Sequence, residues 1–440
     1  MKTDTAMSKI DNLFYILLPL LVLGIPFHYS VFSLCVVLLL LRCVTSERTT
    51  VAAFLMIYAG PTIGCIRAVY PSLPLYGAIF CILGFLMVVN YFRNFFQNNV
   101  SGIASLCLVF LYFFIVLING GNSEYGQEKY AGIISNGISS LVGFYILFTS
   151  RTVNNEQFAQ MLIITSIIMI EYLVALFGFQ AGGVFDYNWV REAVSLLEKT
   201  AGGNIIGYQH IGMNTAFAYG IFMSSKKLDI KRLLFYSIIC FQLALTSGAR
   251  QAMLATLVVL ILRLVVIGYS GVSKTNLKNS VIAVLSLFIV YEVVSSLDID
   301  IVTKTLESGD AGRDELREQA LAIFDKNPLF GSGLGGFYKI TGENYPHNFF
   351  LEVLCECGIF GLLFLSLVYI VFMVKHKIGI GQLTRNDSFF LIIMISLFVR
   401  CMVSGNFTIS IQLFSALFAL AALPKNRINK FNSENVHVKI

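Results

Sequence analysis

Charged residues are scarce in this chain: Asp, Glu, Lys and Arg make up only 13% of its 440 residues. A soluble domain carries about 25% charged residues. The mean hydropathy here is +0.77, and a chain this apolar has no aqueous fold available to it. The scarcity of charge therefore excludes a soluble globular protein and predicts a polytopic membrane protein.

The apolar runs also lack period-2 alternation. Inside a bilayer every backbone polar group needs a protein partner, so only helices or a closed barrel can span it, and barrel strands would alternate. The sequence therefore predicts an all-α polytopic membrane protein, with a single integral membrane domain over residues 1–440. We count about 12–14 apolar segments of helical length. The count is a range because some segments are short or closely spaced.

Metal and nucleotide motifs are missing as well. The nine cysteines form no C-x-x-C pair and are expected to be small core hydrophobes. No H-E-x-x-H pattern is present, and the D-x-D at 298–300 lacks the soluble nucleotide-binding domain that such a motif serves. We therefore expect no metal and no cofactor. The glycines at 331, 333, 335 and 336 predict a tight loop that allows close backbone approach.

Lysine and arginine are unevenly distributed between the two sides of the membrane. If the N-terminus is cytoplasmic and the helices alternate, most of the 31 basic residues fall on the cytoplasmic side, as the positive-inside rule expects. This distribution accounts for the net charge of +6 without a nucleic-acid partner. The predicted location is a bacterial inner membrane with both termini cytoplasmic and a large periplasmic loop at 298–347.

That loop concentrates charged residues, glycines and a histidine in a chain that is otherwise largely apolar. Within it, Leu316, Ala320, Ile323 and Phe324 follow the i, i+4, i+7, i+8 spacing of an amphipathic helix. We expect a short helix near 313–326 that ends before Pro328. Because the periplasm offers no ATP or nucleotide sugar, chemistry there must use a substrate that carries its own leaving group. Otherwise the protein is a transporter.

Two arginines on the periplasmic side are candidates for binding an anion. Arg250 lies in T-S-G-A-R at the start of an apolar helix, and Arg313 begins the loop helix. An arginine at the edge of the hydrocarbon needs a partner, and diphosphates and carboxylates fit its planar fork best. Lipid headgroups are the alternative partner for Arg250, and simple solvation is the alternative for Arg313. Arg317, one turn further on, could pair with a neighbouring acid instead.

His347 stands immediately before a long apolar helix that begins near Asn348. The positive end of a helix disfavours the imidazolium, so a neutral imidazole could act there as a general base. A hydrogen-bonding cap is the alternative role. Glu352 lies inside the same apolar helix and could either orient His347 or pair with another helix. Lys129 and Arg400, both near the outer surface, are weaker candidates.

Three stretches occur in an order that resembles a known family. They are TSGARQAMLA at 246–255, GRDELREQALAIFDKNPLFGSGLGGF at 312–337 and PHNFFLEVLCECGIFGLL at 346–363. Together they resemble the O-antigen ligase/polymerase superfamily, bacterial inner-membrane proteins with twelve or more helices, one large periplasmic loop and a GT-C-like glycosyltransferase architecture. The resemblance covers roughly residues 205–375.

The resemblance implies an enzyme whose donor is a glycan on undecaprenyl diphosphate. Arg250 and Arg313 would bind the diphosphate, and His347 would accept the proton of the attacking sugar hydroxyl. This would be a metal-independent, inverting transfer. Arg317, Asn348 and Glu352 would support the site. The implied partners are a lipid-linked glycan donor and acceptor and membrane lipid, with a chain-length regulator and a flippase as further candidates.

Two reactions of that family use the same machinery. A polymerase transfers the growing chain onto the next lipid-linked repeat unit, whereas a ligase transfers the finished chain onto lipid A–core. We favour the polymerase, because it is the more sequence-diverse group and because the segment count near fourteen suits it better. A flippase for the lipid-linked unit is the alternative from another class. Transporters place ionisable residues near the midplane of repeated halves, and neither feature is evident here.

Overall fold

The computed structural model describes residues 13–22, 29–69, 100–150, 153–177, 190, 193–194, 208–223, 230–247, 249–269, 313–375, 388–404 and 406–421. Within these ranges the regular elements are helices and no strand occurs. Four helices are long and apolar enough to span a bilayer. The chain is therefore an all-α polytopic membrane protein, which confirms the fold class predicted from its composition.

The helices are α1 (Leu13–Val22), α2 (Tyr29–Thr45), α3 (Arg48–Val69), α4 (Val100–Asn119), α5 (Glu124–Thr149), α6 (Asn155–Phe177), α7 (Tyr208–Met223), α8 (Ile230–Thr246), α9 (Arg250–Tyr269), α10 (Arg313–Lys326), α11 (Gly336–Thr341), α12 (Phe349–Lys375), α13 (Ser388–Ser404) and α14 (Phe407–Ala421). The four long apolar ones are α4, α5, α6 and α12. The predicted segments near 74–92 and 280–297 lie outside the described residues, so the total of about 12–14 spans stays a prediction.

The chain divides into two compact units, and unit 1 consists of residues 1–89 and 150–297. Its centre is α6, which packs against α2, α3, α7 and α8. Residues 157–174 of α6 are all buried. At the start of α6, Glu156 forms an ion pair with Arg232 of α8 at 2.9 Å. Helix α7 packs in turn on α8 and α9.

Unit 2 consists of residues 90–149 and 298–440, and α12 is its most connected helix. This helix contacts α4, α10, α11, α13 and α14, while α5 packs along α14. The short helix α10 covers the residues whose spacing indicated an amphipathic helix. Its Ala320 and Ile323 are buried against Phe337 and Cys355. The loop helices are therefore packed onto a membrane-spanning helix through their own apolar face.

Helix α12 is broken at Gly358, where the backbone adopts φ 68° and ψ −169°. The loop after α10 fits against this break. The N–H groups of Ile359 and Phe360 donate to the carbonyls of Pro328 and Leu329, at 2.9 and 3.1 Å. A Cβ at Gly358 would collide with the Leu329 carbonyl. The break therefore supplies hydrogen-bond donors that hold a non-helical loop beside the helix.

We call residues 331–336 the glycine turn. Its Gly333, at φ 85°, faces Gly120 at the end of α4 so closely that a Cβ on Gly333 would overlap the Gly120 Cα. The N–H of Gly333 donates to the Glu356 carbonyl of α12 at 2.9 Å. As the sequence indicated, the glycines permit backbone approach to neighbouring helices. The turn is thus held between the end of α4 and the break in α12.

The collision at Gly333 predicts that an alanine substitution will be more destabilising at Gly333 than at Gly342, although the two glycines have similar φ angles. Gly342 has φ 78°, and a Cβ there meets nothing within 4 Å. Gly342→Ala should therefore cost only the backbone strain of about 1 kcal/mol, seen as a fall of a few degrees in Tm. Gly333→Ala adds a backbone collision. Its fall in Tm should be several times larger, or the protein should no longer accumulate in the membrane. Thermal unfolding of both purified variants in detergent measures this, and equal Tm values would contradict the packing described.

Candidate functional site

A buried lysine and two buried glutamates meet inside unit 2. Lys129 of α5 donates to both carboxylate oxygens of Glu356 at 2.8 Å. Its Nζ also lies 2.5 Å from Oε1 of Glu352. All three side chains are at most 5% exposed. Since isolated charges of this kind are very costly to bury, the three residues form one ionic network.

Glu356 also caps the short helix α11. Its two oxygens accept the N–H groups of Gly335 and Phe337, at 3.1 and 3.4 Å. Gly335 is the N-cap position of α11, and it has no side chain to satisfy the free N–H groups there. The carboxylate of α12 therefore takes over the capping role and joins the glycine turn to the ionic network.

Glu352 makes the equivalent contact to α14. Its Oε2 accepts the N–H of Phe407, the first residue of that helix, at 2.8 Å. The Phe407 ring also lies under Lys129, with 4.8 Å between Nζ and the ring centroid. The network thus connects four elements, namely α5, α12, the glycine turn and the start of α14. Glu352 has the interhelical pairing role, one of the two alternatives that the sequence left open.

His347 lies one turn before this network along the chain, in the left-handed region at φ 54°. Non-glycine residues adopt that conformation rarely, and often at functional positions. The imidazole is half-buried and contacts the Tyr345 ring, with 4.5 Å between centroids. Asn348, the next residue, caps α12 by accepting the N–H groups of Phe350 and Leu351 at 2.9 and 3.2 Å. His347 therefore stands just outside a well-capped helix start.

Further contacts fix the loop that carries His347. The Asn348 amide donates to the Met402 carbonyl of α13 at 3.1 Å. The Tyr125 hydroxyl of α5 donates to the Asn344 carbonyl at 3.0 Å. The Tyr125 ring stacks on Tyr338 of α11 at 4.3 Å. The backbone around His347 is consequently attached to α5 and α13, and α5 is attached in turn to α11, which is the kind of support that a positioned side chain needs.

The two arginines predicted to bind the diphosphate each begin a helix. Arg250 is the first residue of α9 in unit 1, and Arg313 is the first residue of α10 in unit 2. Their side chains lie outside the described residues. Near Arg250 the backbone is tightly packed, because a Cβ at Gly212 of α7 would meet Ala249 and Ala252 at 2.8 and 2.7 Å.

The supporting arginines have partners on their own or adjacent helices. Arg317 pairs with Asp314 at 2.9 Å in an i, i+3 contact on the exposed side of α10. This is the alternative role that its sequence position allowed. Arg400 of α13 is buried and donates to the Gln412 amide oxygen of α14 at 3.3 Å. Arg317 and Arg400 therefore each have a polar partner within unit 2.

Sequence reasoning named Glu352 and Lys129 but missed Glu356, and it did not predict that the three residues meet. A signal was present, because Glu352 and Glu356 are four residues apart and share one face of an apolar helix. Two carboxylates on one buried face require a cation. Only the tertiary structure shows that Lys129, more than two hundred residues earlier, supplies it.

Unit 1 contains another buried acid that the sequence analysis did not single out. Glu171 of α6 is 0% exposed. Within the part of the chain that the structure describes, neither of its carboxylate oxygens has a hydrogen-bond partner. An unpaired ionised carboxylate at this depth would be very costly, so Glu171 contrasts directly with the paired Glu352 and Glu356.

Comparison with known protein families gives a match to part of the chain. The model of the family described as O-antigen ligase matches residues 235–366. No curated protein matches the chain. This match confirms the predicted O-antigen ligase/polymerase superfamily over that part of the chain.

The matched stretch runs from α8 to the middle of α12 and contains Arg250, Arg313, the glycine turn, His347 and both network glutamates. One member of the network and one of its hydrogen-bond partners lie outside it. Lys129 precedes it on α5, and Phe407 follows it on α14. Helices outside the match therefore supply the cation and a hydrogen-bond donor for the two buried glutamates of the matched segment in unit 2.

Removing the cation of the network should destabilise the protein strongly. Lys129→Met leaves Glu352 and Glu356 buried without their partner, and breaking a buried pair in this way costs about 3–5 kcal/mol. The matched control is Lys339→Met, because Lys339 is exposed on α11 and an exposed charge contributes at most about 1 kcal/mol. Thermal unfolding in detergent should separate the two variants clearly. Similar Tm values would contradict the network.

The two kinds of buried glutamate predict opposite effects of the same substitution. Glu171→Leu removes an unpaired polar group and should leave Tm unchanged or raise it. Glu352→Leu leaves Lys129 and the Phe407 N–H short of a partner and should lower stability by about 1–3 kcal/mol or more. Measuring both Tm values against the parent protein checks this. A large loss in Glu171→Leu would show that the carboxyl has a partner after all.

Proposed function

We propose that this protein is a surface-polysaccharide polymerase. It transfers a glycan chain from undecaprenyl diphosphate onto the next lipid-linked repeat unit, at the periplasmic face of a bacterial inner membrane. The observation that carries the proposal is His347. It is half-buried, held at positive φ beside a capped helix start, and lies inside the segment that matches the O-antigen ligase family.

In the proposed reaction a sugar hydroxyl of the acceptor attacks the anomeric carbon of the donor. The new C–O bond forms as the bond to the diphosphate breaks, and undecaprenyl diphosphate leaves with the electron pair. His347 takes the hydroxyl proton as general base. Arg250 and Arg313 stabilise the charge that develops on the diphosphate. Because the donor carries its own leaving group, the reaction needs no nucleotide. The two arginines take the place of a metal in this proposal, and a single displacement inverts the anomeric configuration.

The remaining residues have supporting roles in this proposal. Asn348 and the ionic network of Lys129, Glu352 and Glu356 hold the start of α12 and the glycine turn in place. Arg317 supports the start of α10 through its contact with Asp314. The whole chain would act as one membrane-embedded enzyme with both termini cytoplasmic and a GT-C-like architecture. A flippase would supply the lipid-linked unit, and a chain-length regulator would act on its product.

A ligase that transfers the finished chain to lipid A–core is the second candidate. The observation in its favour is the description of the matching family, O-antigen ligase. Both reactions use the same donor and the same leaving group, so the residues proposed above serve either one. The acceptor alone separates the two candidates.

The phenotype of a deletion strain distinguishes these possibilities. Gel analysis of its lipopolysaccharide should show one repeat unit on lipid A–core if the protein is a polymerase. Bare lipid A–core with long chains retained on undecaprenyl diphosphate would indicate a ligase. Bare lipid A–core without any long lipid-linked chains would contradict both and favour a flippase.

Complementation tests the role of His347. His347→Asn should fail to restore the wild-type product, because losing a general base costs about 10²–10⁴-fold in rate. Asparagine tolerates the left-handed backbone at this position, so the variant should still fold. The control is His376→Ala, which removes a histidine just beyond the other end of α12. Both variants should accumulate to wild-type levels in the membrane. A normal ladder from His347→Asn would overturn the mechanism.

A further inference from the structure

Two large apolar residues stand exposed in the otherwise polar loop after α10. Leu329 is 54% exposed and Phe330 is 67% exposed. The Phe330 ring does not point into the loop but stacks on Phe360 of α12, with 5.0 Å between centroids and 9° between planes. Phe360 is itself 51% exposed. Two stacked aromatic rings therefore form an apolar surface that joins the loop to a membrane-spanning helix.

Backbone hydrogen bonds fix the height of this pair along α12. The Phe360 N–H donates to the Leu329 carbonyl, and the Ile359 N–H donates to the Pro328 carbonyl. Both donors are free because Gly358 interrupts the helix. Leu329 and Phe330 therefore lie at the level of residues 359–360, well below the start of α12 at Phe349.

That level falls inside the hydrocarbon of a bilayer. The two parts of α12 on either side of Gly358 total 27 residues, which correspond to at most about 40 Å, whereas the hydrocarbon core is about 30 Å thick. Even if the whole excess of about 10 Å extends beyond the N-terminal end, Phe360 lies about 16 Å from that end. It is then about 6 Å below the hydrocarbon boundary, and Phe330 stacks directly on it.

The loop is chemically suited to this depth, because non-helical backbone within a membrane requires protein partners. The N–H groups of Gly331, Ser332 and Gly333 donate to the carbonyls of Asn327, Cys355 and Glu356, each at 2.9 Å. The carbonyls of Pro328 and Leu329 accept from α12, and Pro328 has no N–H to satisfy. Much of the polar backbone of the loop is thus paired while its apolar side chains face outward.

The exposed apolar surface also continues along α12 beyond the loop. Ile359, Phe360, Leu363, Leu367, Ile370 and Val371 are all exposed on this helix. Just before the pair, Lys326 ends α10 as an exposed cation, at a position from which it can reach lipid headgroups. A cation followed within four residues by exposed leucine and phenylalanine matches the polarity profile of a bilayer leaflet.

We propose that Leu329 and Phe330 form a membrane anchor that inserts into the acyl chains of the leaflet on the His347 side of α12. The loop is then re-entrant, and its insertion sets the height of the glycine turn and of the adjoining ionic network relative to the bilayer. The occupant of the surface is bilayer hydrocarbon. The proposal concerns the lipid contact alone and does not depend on which reaction the protein catalyses.

Tryptophan fluorescence in the full-length protein tests the anchor. The chain has one tryptophan, Trp189, so Trp189→Phe combined with Phe330→Trp creates a single reporter at the tip of the anchor. The protein is reconstituted in phosphatidylcholine vesicles with or without bromine on the acyl chains. We expect brominated chains to quench most of the emission of this reporter.

The matched control is Tyr338→Trp in the same Trp189→Phe background. Tyr338 is an exposed aromatic residue of the same loop that stacks on Tyr125 rather than on the exposed face of α12. Its quenching should be several-fold weaker. A Phe330→Trp reporter that is unquenched and emits like indole in water would overturn the proposal. An unquenched reporter with blue-shifted emission would overturn it too, because protein, such as a second copy of the chain, would then cover the site.

Cysteine labelling gives a second test that needs no large substitution. Lys326→Cys should react readily with a water-soluble maleimide in intact vesicles, above the background of the parent protein. Leu329→Cys should react at least ten-fold more slowly until the vesicles are dissolved in dodecyl sulfate. Equal labelling of the two positions in intact vesicles would show that the loop lies in water and would overturn the proposal.

Discussion

The pairing of two buried carboxylates with one buried lysine is the constraint on which unit 2 depends. Glu352 and Glu356 lie on one face of an apolar helix, and neither could remain ionised there alone. Lys129 supplies the cation from α5, and backbone N–H groups at the starts of α11 and α14 supply the remaining donors. One ionic contact therefore determines how four elements meet. The loop with His347, the proposed general base, is built on the same helix one turn away.

Glycine makes that arrangement sterically possible. The network requires the glycine turn to lie against α12 and the end of α4, and the contact between Gly333 and Gly120 leaves no room for a side chain. The break at Gly358 frees donors that bind the loop backbone. The buried ionic network thus favours contact between these particular elements, and the glycines allow their backbones to approach closely. The lipid contact proposed for Leu329 and Phe330 follows from the same break, because it holds the loop at the depth of Phe360.

Several expectations from the sequence agree with the structure for identifiable physical reasons. Composition and run length predicted an all-α membrane protein, because a bilayer leaves a long apolar segment no alternative to a helix. The spacing of Leu316, Ala320 and Ile323 indicated the helix α10. The pattern of an amphipathic helix depends only on the spacing of apolar residues along a short segment. The order of three short motifs indicated the superfamily, and the family match at 235–366 confirmed it. Cys107, expected in the core, is instead exposed on α4. A helix that faces lipid tolerates a small apolar side chain on its outer surface.

The sequence by itself determined the class of the protein, the positions of most of the described helices and the residue types able to carry chemistry. These are local properties, set by hydrophobicity and by spacing along one helix. Only the tertiary structure decided that Lys129 pairs with Glu352 and Glu356, that these acids cap α11 and α14, and that the polar loop descends to Phe360. The physical reason is that a buried charge requires a partner of opposite charge, but the sequence does not show which residue will be that partner. Any lysine or arginine could neutralise the two carboxylates, and the packing of the helices decides which one lies close enough to do so.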